Sequence, residues 1–435
     1  MFSKILIANR GEIAVRIIRA CKEMGISTVS VYSEADRDAL HVQLADESYC
    51  IGKAAASDSY LNEERIISAA QISKAQAIHP GYGFLSENPH FAQLCKKFGI
   101  VFIGPDPEVM ERVSDKAEIK KMMENTNLHP IPGTDALASL EEALECAERI
   151  GYPVMLKACF GGGGRGIRLI ESEEDLKREY PLAVSESEAA FGDGSLYLEK
   201  YIYPARHIEM QIIGDEAGNV ICLGERDCSI QRRHQKLIEE SPSPGVNDIQ
   251  RQALIRDVTD AVKKMGYSGV GTLEFLMDTQ GNFWFMEMNV RLQVEHCVTE
   301  ALTRIDMVKW QIRTAAGVTL PFKQEDINLN GSSIECRINA LAPGRLQACH
   351  IPGGPFLRFD GGVIPGTMVS PFYDSMIGKL IAYASTREEA VRKMRSALCE
   401  IIFNGVETNI LEQLNIITDP RFASGDYDLT FMEGR

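Results

Sequence analysis

Short apolar strands alternate with amphipathic helices along the first hundred residues, and this alternation is the strongest constraint on the fold. Residues 4–8 (KILIA) form an apolar run of strand length, and residues 12–24 carry apolar side chains at helical spacing. Gly25 ends that helix, and residues 27–32 (STVSVY) predict a second strand. The pattern continues with helix, strand, helix and strand at 66–73, 75–78, 91–98 and 100–103. Strands separated by helices predict a parallel sheet and therefore an α/β domain.

Composition argues against several classes of protein. The 435 residues have a formal net charge of −15, which argues against a protein that binds nucleic acid or an anionic membrane surface. The eleven cysteines include no Cys-x-x-Cys pair, so we expect neither a disulfide framework nor a zinc site. The first residues lack the pattern of a signal peptide, and no apolar run approaches the length of a membrane span. These features together predict a cytoplasmic protein.

Four consecutive glycines at 161–164 lie between two segments with strand patterns, residues 154–158 and 167–170. The spacing Gly-x-Gly-x-x-Gly is present, but a dinucleotide-binding turn leads into a helix, not a second strand. The Lys-Ser/Thr pair of a Walker A loop is missing. A glycine-rich hairpin can expose backbone N–H groups to phosphates. Because four glycines cost conformational entropy, we favour a phosphate-binding role over a flexible surface hairpin, with Lys157 directly upstream.

A predicted hairpin further along the chain carries two acidic side chains. Residues 271–277 and 283–289 both have strand patterns, and a two-residue turn at 280–281 would place Glu274 directly opposite Glu287. Facing carboxylates repel each other unless a proton or a divalent cation lies between them. Mg²⁺ prefers a few carboxylates together with substrate phosphates. Two carboxylates at a solvated rim would give the same pattern, so both interpretations stay open for the hairpin taken alone.

Charged side chains follow this hairpin and also precede it. If the second strand continues, Arg291, Gln293 and Glu295 share one face. Arginine offers planar donors that suit a carbonate-like anion, and a neighbouring glutamate can accept a proton. An ordinary surface Arg–Glu pair would have the same spacing. Residues 232–236 (RRHQK) form a dense cationic cluster, which is either a solvated loop or a second wall for anionic substrates.

Taken together, the motifs closely resemble those of biotin carboxylase, in particular the free-standing subunit of bacterial acetyl-CoA carboxylase. Besides the glycine loop, the motifs are residues 7–14 (IANRGEIA), 79–88 (HPGYGFLSEN), 225–229 (ERDCS), 232–236 (RRHQK), 287–289 (EMN), 291–296 (RLQVEH) and 335–337 (ECR). The resemblance covers nearly the whole chain. It implies an ATP-grasp fold of α/β and α+β class. The implied parts are an N-terminal parallel α/β domain at 1–112, an ATP-grasp domain at 113–330 with a mobile glycine-loop lid at about 131–203, and a C-terminal domain at 331–435.

The resemblance also implies a role for each residue that matches a family motif. The nucleotide would be contacted by Lys116, Lys157, Gly163, Gly164, Glu199, Lys200, Tyr201, Ile202, His207 and His234. Mg²⁺, or Mn²⁺ in its place, would be held by Glu274, Glu287 and Asn289. Bicarbonate would be held by Lys236, Arg291, Gln293 and Val294. Glu295 would be the base and Arg337 would face biotin, which makes Glu295, Arg291, Arg337 and Lys236 the expected catalytic set.

The implied reaction uses ATP and bicarbonate to carboxylate biotin by way of carboxyphosphate. It is the first half-reaction of acetyl-CoA carboxylase in fatty acid synthesis. The chain has no Ala-Met-Lys-Met attachment motif, so biotin must come from a biotin carboxyl carrier protein, with carboxyltransferase subunits as further partners. Two other interpretations stay open, namely an ATP-grasp ligase that activates a different carboxylate and a non-catalytic regulator that binds nucleotide.

One segment departs from the family pattern. Residues 341–353 read LAPGRLQACHIPG where the family has an acidic Asp-Pro stretch and a Pro-Ser-Pro-Gly, and the stretch from 362 to 373 is shortened. In the family, part of this region contributes to a homodimer contact. We therefore expect a weakened or rearranged dimer as a consequence of the altered 341–372 segment.

Overall fold

The N-terminal part of the chain forms a five-stranded parallel sheet. The computed structural model describes residues 1–114, 116–159 and 166–434, with the side chains of residues 116, 117, 124 and 191 outside that description. The elements of this part are β1 (Lys4–Ile7), α1 (Gly11–Glu23), β2 (Ser27–Ser33), α2 (Leu40–Leu44), β3 (Glu47–Gly52), α3 (Glu63–Ser73), β4 (Ala77–His79), α4 (Pro89–Lys97) and β5 (Val101–Phe102). The strand order is β3-β2-β1-β4-β5, and all neighbouring strands are parallel. The predicted α/β domain is confirmed.

The central strand β1 is apolar and buried from Ile5 to Ile7 because helices cover both of its faces. Ile5 and Ile7 pack with α1 on one side, and Leu6 packs with residues of α3 and α4 on the other. Strand β3 did not show in the sequence pattern. It lies at the edge of the sheet, where the side chains of residues 47–50 alternate between half-buried and exposed and Ile51 is buried, so the strand has no apolar run.

A small antiparallel sheet of order β8-β7-β9 lies within the region predicted as a lid. The elements from the end of the first sheet to this one are α5 (Pro107–Ser114), α6 (Lys116–Glu124), β6 (His129–Pro130), α7 (Leu140–Ile150), β7 (Val154–Ala158), β8 (Ile167–Ile170), α8 (Glu173–Phe191) and β9 (Leu196–Lys200). Strands β7 and β8 form the predicted hairpin, with Lys157 opposite Ile167. The glycine run between them lies outside the described residues.

A nine-stranded sheet, of order β18-β20-β15-β12-β11-β10-β13-β14-β6, forms the body of the protein. Its middle part is built from β10 (Ala205–Gly214), β11 (Val220–Arg232), β12 (Gln235–Ser241), α9 (Asp248–Met265), β13 (Gly269–Asp278), β14 (Phe283–Asn289), α10 (His296–Thr303) and α11 (Met307–Ala315). Helix α9 lies between β12 and β13 in the chain and interrupts the run of strands. A capping box of Asn247 and Gln250 marks the start of that helix. The longest helices in the described part of the chain are α8 and α9, and none is long and apolar enough to cross a membrane.

The C-terminal part of the chain extends the same sheet with β15, β20 and β18. Its elements are β15 (Ser332–Asn339), β16 (Gly344–Arg345), β17 (Ala348–His350), β18 (Leu357–Gly361), β19 (Met368–Val369), β20 (Met376–Ala384), α12 (Arg387–Glu400), β21 (Ile402–Asn404), α13 (Ile410–Ile417) and α14 (Pro420–Ser424). On β15, Ile334, Cys336 and Ile338 face an apolar core that includes residues of α12. The alternate positions, Glu335 and Arg337, therefore face the opposite side, where α10 packs against the sheet.

A buried histidine of α2 should make the fold sensitive to acid. His41 is fully buried. Burial lowers its pKa from 6.5 to about 4, although the nearby Asp36 opposes this shift. The folded protein therefore takes up this proton at lower pH than the unfolded chain does. The contribution to stability is complete above about pH 6.5 and is lost as the pH falls towards 4.

We expect His41→Leu to lose less stability than the wild type between pH 7.5 and pH 5, by about 2 kcal/mol in the free energy of unfolding. Urea unfolding at both pH values measures this difference. Val42→Ala in the same helix changes no titratable group and should keep the wild-type pH dependence. Equal losses in His41→Leu and the wild type would contradict the prediction.

Candidate active site

A cavity of about 1000 Å³ lies where the N-terminal sheet, the small antiparallel sheet and the nine-stranded sheet meet. Most of the residues predicted from the sequence line it, namely Lys157, Glu199, His207, His234, Lys236, Glu274, Glu287, Asn289, Arg291, Gln293, Val294 and Arg337. Glu295 is fully buried directly behind this wall. Lys200, Tyr201 and Ile202 do not line the cavity. The Lys116 side chain, Gly163 and Gly164 lie outside the described residues.

Three carboxylates lie side by side across neighbouring strands of the large sheet. Glu274 of β13 is opposite Glu287 of β14, as predicted, and opposite Glu209 of β10 on its other side. Glu209 and Glu274 are buried, whereas Glu287 is exposed. Three negative charges in a row would repel one another, so this arrangement requires cations close by.

The predicted pairing of Glu274 with Glu287 is confirmed, but the predicted two-residue turn was wrong. The Asp278 amide donates to the Asn282 carbonyl at 3.0 Å, so the loop between them has three residues. A β-bulge then shifts the register between Glu274 and the following residue, Phe275. The longer loop and the bulge compensate each other, and the carboxylates face each other as expected.

Lys236 of β12 supplies the central positive charge. Its ammonium forms an ion pair with Glu209, lies 2.8 Å from Glu295 and lies 3.4 Å from Glu274. Burial favours the neutral amine, but these three carboxylates together raise the pKa of Lys236 well above its usual value. On the far side of Glu209, the buried guanidinium of Arg226 donates to the second carboxylate oxygen at 3.0 Å. Glu274 and Glu295 are therefore held ionised, whereas burial and the neighbouring carboxylates raise the pKa of Glu209 to about 7.

The oxygen atoms around Glu274 are suited to a small divalent cation. Burial opposes ionisation of Glu274, but Lys236 and His207 lower its pKa below the usual range. His207 Nε2 lies 2.9 Å from one carboxylate oxygen, and the Asn289 amide donates to the other at 2.8 Å. Glu274 and Glu287 thus present carboxylate oxygens on one face, the hard donors that Mg²⁺ prefers. These two predicted ligands fit the ion on this observation, whereas the amide oxygen of Asn289 accepts a hydrogen bond from Arg291 at 3.0 Å.

The prediction that β14 continues through Arg291, Gln293 and Glu295 was wrong. The strand ends at Asn289, the chain turns, and α10 begins at His296. The side chains nevertheless lie together, because Arg291 donates to the Gln293 amide oxygen at 2.9 Å and Gln293 donates to Glu274 at 3.2 Å. A loop, not a shared strand face, brings them to the cavity.

Glu295, the residue before α10, is held between two cations. Lys236 donates to one carboxylate oxygen at 2.8 Å, and Arg337 donates to the other at 2.9 Å. Burial opposes ionisation, but Lys236, Arg337 and Arg226 lower the pKa of Glu295 well below its usual value. Arg337 also donates to Glu239 at 2.6 Å, so its guanidinium is shared between two carboxylates.

The opposite end of the cavity has its own charge cluster. Glu199 of β9 forms ion pairs with Lys157, as part of the predicted set, and with Lys120 at 3.0 Å. Burial opposes ionisation of Glu199, but the two lysines lower its pKa. The ammonium of Lys200 instead donates to the Gly151 carbonyl at 2.7 Å and so points away from the cavity.

The cationic cluster 232–236 was predicted to be either a solvated loop or a wall of the site, and the structure shows that each interpretation holds for part of it. Arg232, Arg233 and His234 are exposed at the hairpin that joins β11 and β12, and Arg232 forms an ion pair with Glu412. Lys236 points inward and, with His234, lines the cavity. One part of the cluster is therefore a solvated loop, and the other part is a wall of the site.

Sequence reasoning missed Glu209, Arg226, Glu239 and Lys120. A usable signal existed for Glu209. In β10, the polar residues His207, Glu209 and Gln211 alternate with apolar neighbours, which is how a strand presents polar side chains to one buried face. Arg226 lies within the 225–229 motif and Glu239 lies three residues after the 232–236 motif, but only the folded sheet shows that Arg226 pairs with Glu209 and that Glu239 pairs with Arg337.

Three sequence families cover nearly all of the chain. Residues 1–110 match "Biotin carboxylase, N-terminal domain", residues 115–323 match "Carbamoyl-phosphate synthase L chain, ATP binding domain", and residues 335–434 match "Biotin carboxylase C-terminal domain". Biotin carboxylase 1 of Bacillus subtilis is 47% identical over 443 residues, covering 100% of this chain and 98% of the relative. The chain belongs to the biotin carboxylase family. It is accordingly an enzyme of the ATP-grasp ligase class.

Relatives from other biotin-dependent enzymes are equally similar. The 2-oxoglutarate carboxylase small subunit of Hydrogenobacter thermophilus is 51% identical over 442 residues, covering 100% of this chain and 93% of the relative. The crystal structure of the biotin carboxylase domain dimer of 2-oxoglutarate carboxylase from the same organism, in complex with MgADP, ADP and bicarbonate, superposes with a TM-score of 0.96 at 50% identity. It covers 100% of this chain and 97% of that one. This likeness confirms the predicted ATP-grasp fold.

Replacing one predicted metal ligand should weaken binding of the metal–nucleotide complex selectively. We expect Glu287→Gln to bind Mg-ADP about tenfold or more weakly, because a neutral amide replaces an anionic ligand. Binding of ADP without metal should be unchanged. Isothermal titration calorimetry in the presence and absence of Mg²⁺ measures both values. Glu216→Gln, at an exposed turn away from the cavity, is the matched control, and equal Mg-ADP affinities in the two variants would exclude Glu287 from the metal site.

Proposed function

We propose that this enzyme uses ATP, Mg²⁺ and bicarbonate to carboxylate biotin that is attached to a separate carrier protein. The observation that carries the proposal is Glu295, a buried carboxylate held between Lys236 and Arg337 beside the Glu274–Glu287 pair. A protein that only bound nucleotide would need neither a base nor a second anion site. The 2-oxoglutarate carboxylase structure with MgADP and bicarbonate supports the same set of substrates.

In the first stage, Glu295 takes the proton of bicarbonate while the bicarbonate oxygen attacks the γ-phosphate of ATP. The bond to the β-phosphate oxygen breaks, which releases ADP and forms carboxyphosphate. Arg291 and Lys236, together with the Val294 backbone, would hold the anion at the turn before α10. A bound Mg²⁺, held by Glu274, Glu287 and Asn289, would neutralise charge on the phosphates. When bicarbonate approaches Lys236, it shares the positive charge that now lowers the pKa of Glu295. Substrate binding therefore strengthens the base at the moment of its use.

In the second stage, carboxyphosphate breaks down to CO₂ and phosphate, and phosphate removes the N1 proton of biotin. Arg337 then stabilises the negative oxygen of the biotin ureido ring while the nitrogen captures CO₂. In the structure described here, Arg337 is paired with Glu295 and Glu239. Once Glu295 is protonated, it no longer competes as an anion for Arg337. The first stage thus prepares Arg337 for the second stage.

The nucleotide end of the cavity supports the remaining assignments. We propose that Lys116, Lys157, Glu199 and His207 contact ATP, with Gly163 and Gly164 of the glycine loop and His234 near its phosphates. Lys200, Tyr201 and Ile202 follow Glu199 and would contact the nucleotide through their backbone, since the Lys200 ammonium donates to the Gly151 carbonyl and points away from the cavity. The pairing of Glu199 with Lys157 and Lys120 supports this, since polyphosphate can replace the carboxylate as their partner.

The proposal also includes the multi-subunit enzyme and the pathway in which this chain works. We assign the chain to acetyl-CoA carboxylase and fatty acid synthesis, with biotin carboxyl carrier protein and carboxyltransferase subunits as partners. The competing assignment is to a 2-oxoglutarate carboxylase, because one of the relatives is the small subunit of that enzyme. The carboxyltransferase partner decides between the two.

No disulfide joins the cysteines within the described residues, in keeping with a reducing cytoplasm. The family matches support the division into 1–112, 113–330 and 331–435.

Biotin-stimulated turnover tests the function directly. With Mg-ATP and bicarbonate, free biotin should increase the rate of ADP release. Glu295→Gln should reduce the biotin-stimulated kcat about 100-fold or more, because the base is replaced by a neutral amide of the same shape. Glu216→Gln should behave as the wild type. Nucleotide binding without turnover would indicate the regulator instead, and turnover indifferent to biotin would indicate a different ATP-grasp ligase.

The oligomeric state tests the effect of the altered 341–372 segment. The related 2-oxoglutarate carboxylase domain is described as a dimer, and we propose that this chain also forms a homodimer, one that dissociates more readily. Sedimentation velocity over a micromolar concentration series should show a monomer–dimer equilibrium. A dimer that stays intact throughout the series would contradict the expected weakening.

A further inference from the structure

Two cations lie next to each other beneath the turn that carries Glu295. Arg337 of β15 and Lys379 of β20 are opposite each other in the sheet and face the same side. Arg337 donates to the Glu295 carboxylate at 2.9 Å, whereas the Lys379 ammonium donates to the backbone carbonyl of Val294 at 2.7 Å. Neighbouring cations thus hold the side chain of one residue and the backbone of the residue before it.

Lys379 is an unusual residue to find at this position. Its side chain is completely buried, and a buried ammonium is costly unless it is paired and hydrogen-bonded. Glu12 of α1 lies 3.3 Å from the ammonium, and Asp360 of β18 is opposite Lys379 in the sheet. Burial favours the neutral amine, but these and other acidic neighbours raise the pKa of Lys379 above its usual value.

The partner Glu12 belongs to a different part of the fold. It is buried, and within the described residues neither of its carboxylate oxygens accepts a hydrogen bond. Burial raises the pKa of Glu12 to about 7, although Lys379 opposes this shift. Asp360 is already held by two hydrogen bonds from Arg358. Glu12 is therefore the carboxylate within ion-pair distance of Lys379 whose oxygens accept no hydrogen bond among the described residues.

The Val294 carbonyl belongs to the peptide unit that joins Val294 to Glu295. Holding this carbonyl restricts the rotation of that peptide and hence the direction in which the Glu295 side chain leaves the backbone. The turn lies between the end of β14 and the start of α10, outside any strand or helix ladder. A side-chain donor from the neighbouring sheet therefore supplies a restraint that regular secondary structure does not.

We propose that Lys379 is a positioning residue for the carboxylation reaction, which holds the Val294 carbonyl so that Glu295 points at the bound anion. Glu12 is the counter-ion that keeps the ammonium in place and links the first helix to this turn. The inference rests on the proposed function, since it assigns a task to Lys379 only if Glu295 is the base.

The decisive variant removes both charges at once. In Lys379→Met/Glu12→Gln, one buried cation and its ion-pair partner are removed together, Asp360 keeps its two hydrogen bonds from Arg358, and the side-chain volumes are nearly kept, so the fold should persist. We expect a melting temperature close to that of the wild type and a KM for ATP within about twofold. The kcat of bicarbonate-dependent ADP release should fall about ten- to hundredfold, because a small misplacement of a catalytic group costs rate, not nucleotide binding.

Lys393 offers a matched control in the same domain. Its ammonium also donates to backbone carbonyls, those of Tyr383 at 2.9 Å and Pro355 at 3.2 Å, but it does not line the cavity. Lys393→Met removes the same chemistry from a site without contact to the Glu295 turn. It should leave both kcat and the KM for ATP unchanged.

A third variant keeps the inference testable if the double variant does not fold. Lys379→Arg retains the positive charge opposite Glu12 but changes the reach and direction of the donor. Positioning predicts a lowered kcat with an unchanged KM for ATP, whereas a role confined to charge pairing predicts the kcat of the wild type.

The outcomes separate this inference from the proposed function. If the wild type shows biotin-stimulated turnover and the folded double variant, or Lys379→Arg in its place, matches the wild-type kcat, the positioning role is overturned and the function stands. If the wild type shows no biotin-stimulated turnover, both are overturned. A lowered kcat at constant KM for ATP, with Lys393→Met unaffected, supports the positioning role.

Discussion

The buried ammonium of Lys236 among Glu209, Glu274 and Glu295 is the interaction around which the active site is organised. Without that charge, the carboxylates of neighbouring strands and of the following turn would repel one another or take up protons. With it, Glu274 and Glu295 stay ionised in a wall where water has little access. Under the proposed function, the same ammonium would bind bicarbonate and in doing so release part of its hold on Glu295. One charge would then stabilise the carboxylates and also adjust the proposed base when bicarbonate binds.

The nine-stranded sheet makes this arrangement rigid because it runs without interruption from the central region into the C-terminal region. One face carries the apolar core with α12, and the other carries charged side chains beneath α10. Arg337 and Lys379 are neighbours on that charged face and reach successive residues of one turn. Through Glu12, the same turn is connected to the first helix of the N-terminal domain. All three parts of the chain thus contribute to the placement of Glu295.

The buried charges between the large sheet and α10 neutralise one another as a group and not as separate pairs. Glu300 illustrates this, because its two carboxylate oxygens accept hydrogen bonds from Arg16 of α1 and Arg358 of β18. Each ion has partners from elements that are far apart in the sequence, so the removal of one partner leaves a buried charge exposed to repulsion. For this reason, variants that remove a matched pair are more informative than single charge removals.

Local patterns in the sequence determined the parallel N-terminal sheet, the glycine hairpin and the pairing of Glu274 with Glu287. These depend on side-chain periodicity and on short-range pairing, which one segment encodes by itself. The tertiary structure alone decided which oxygen each cation binds, as with Arg226 and the Glu209 carboxylate or Lys379 and the Val294 backbone carbonyl, because these partners are far apart in the sequence. It also showed that the longer loop and the β-bulge compensate each other at Glu274, and that a turn, not a strand, carries Glu295. Such contacts depend on how whole helices and strands pack against one another. The spacing of residues within a single segment does not predict that packing.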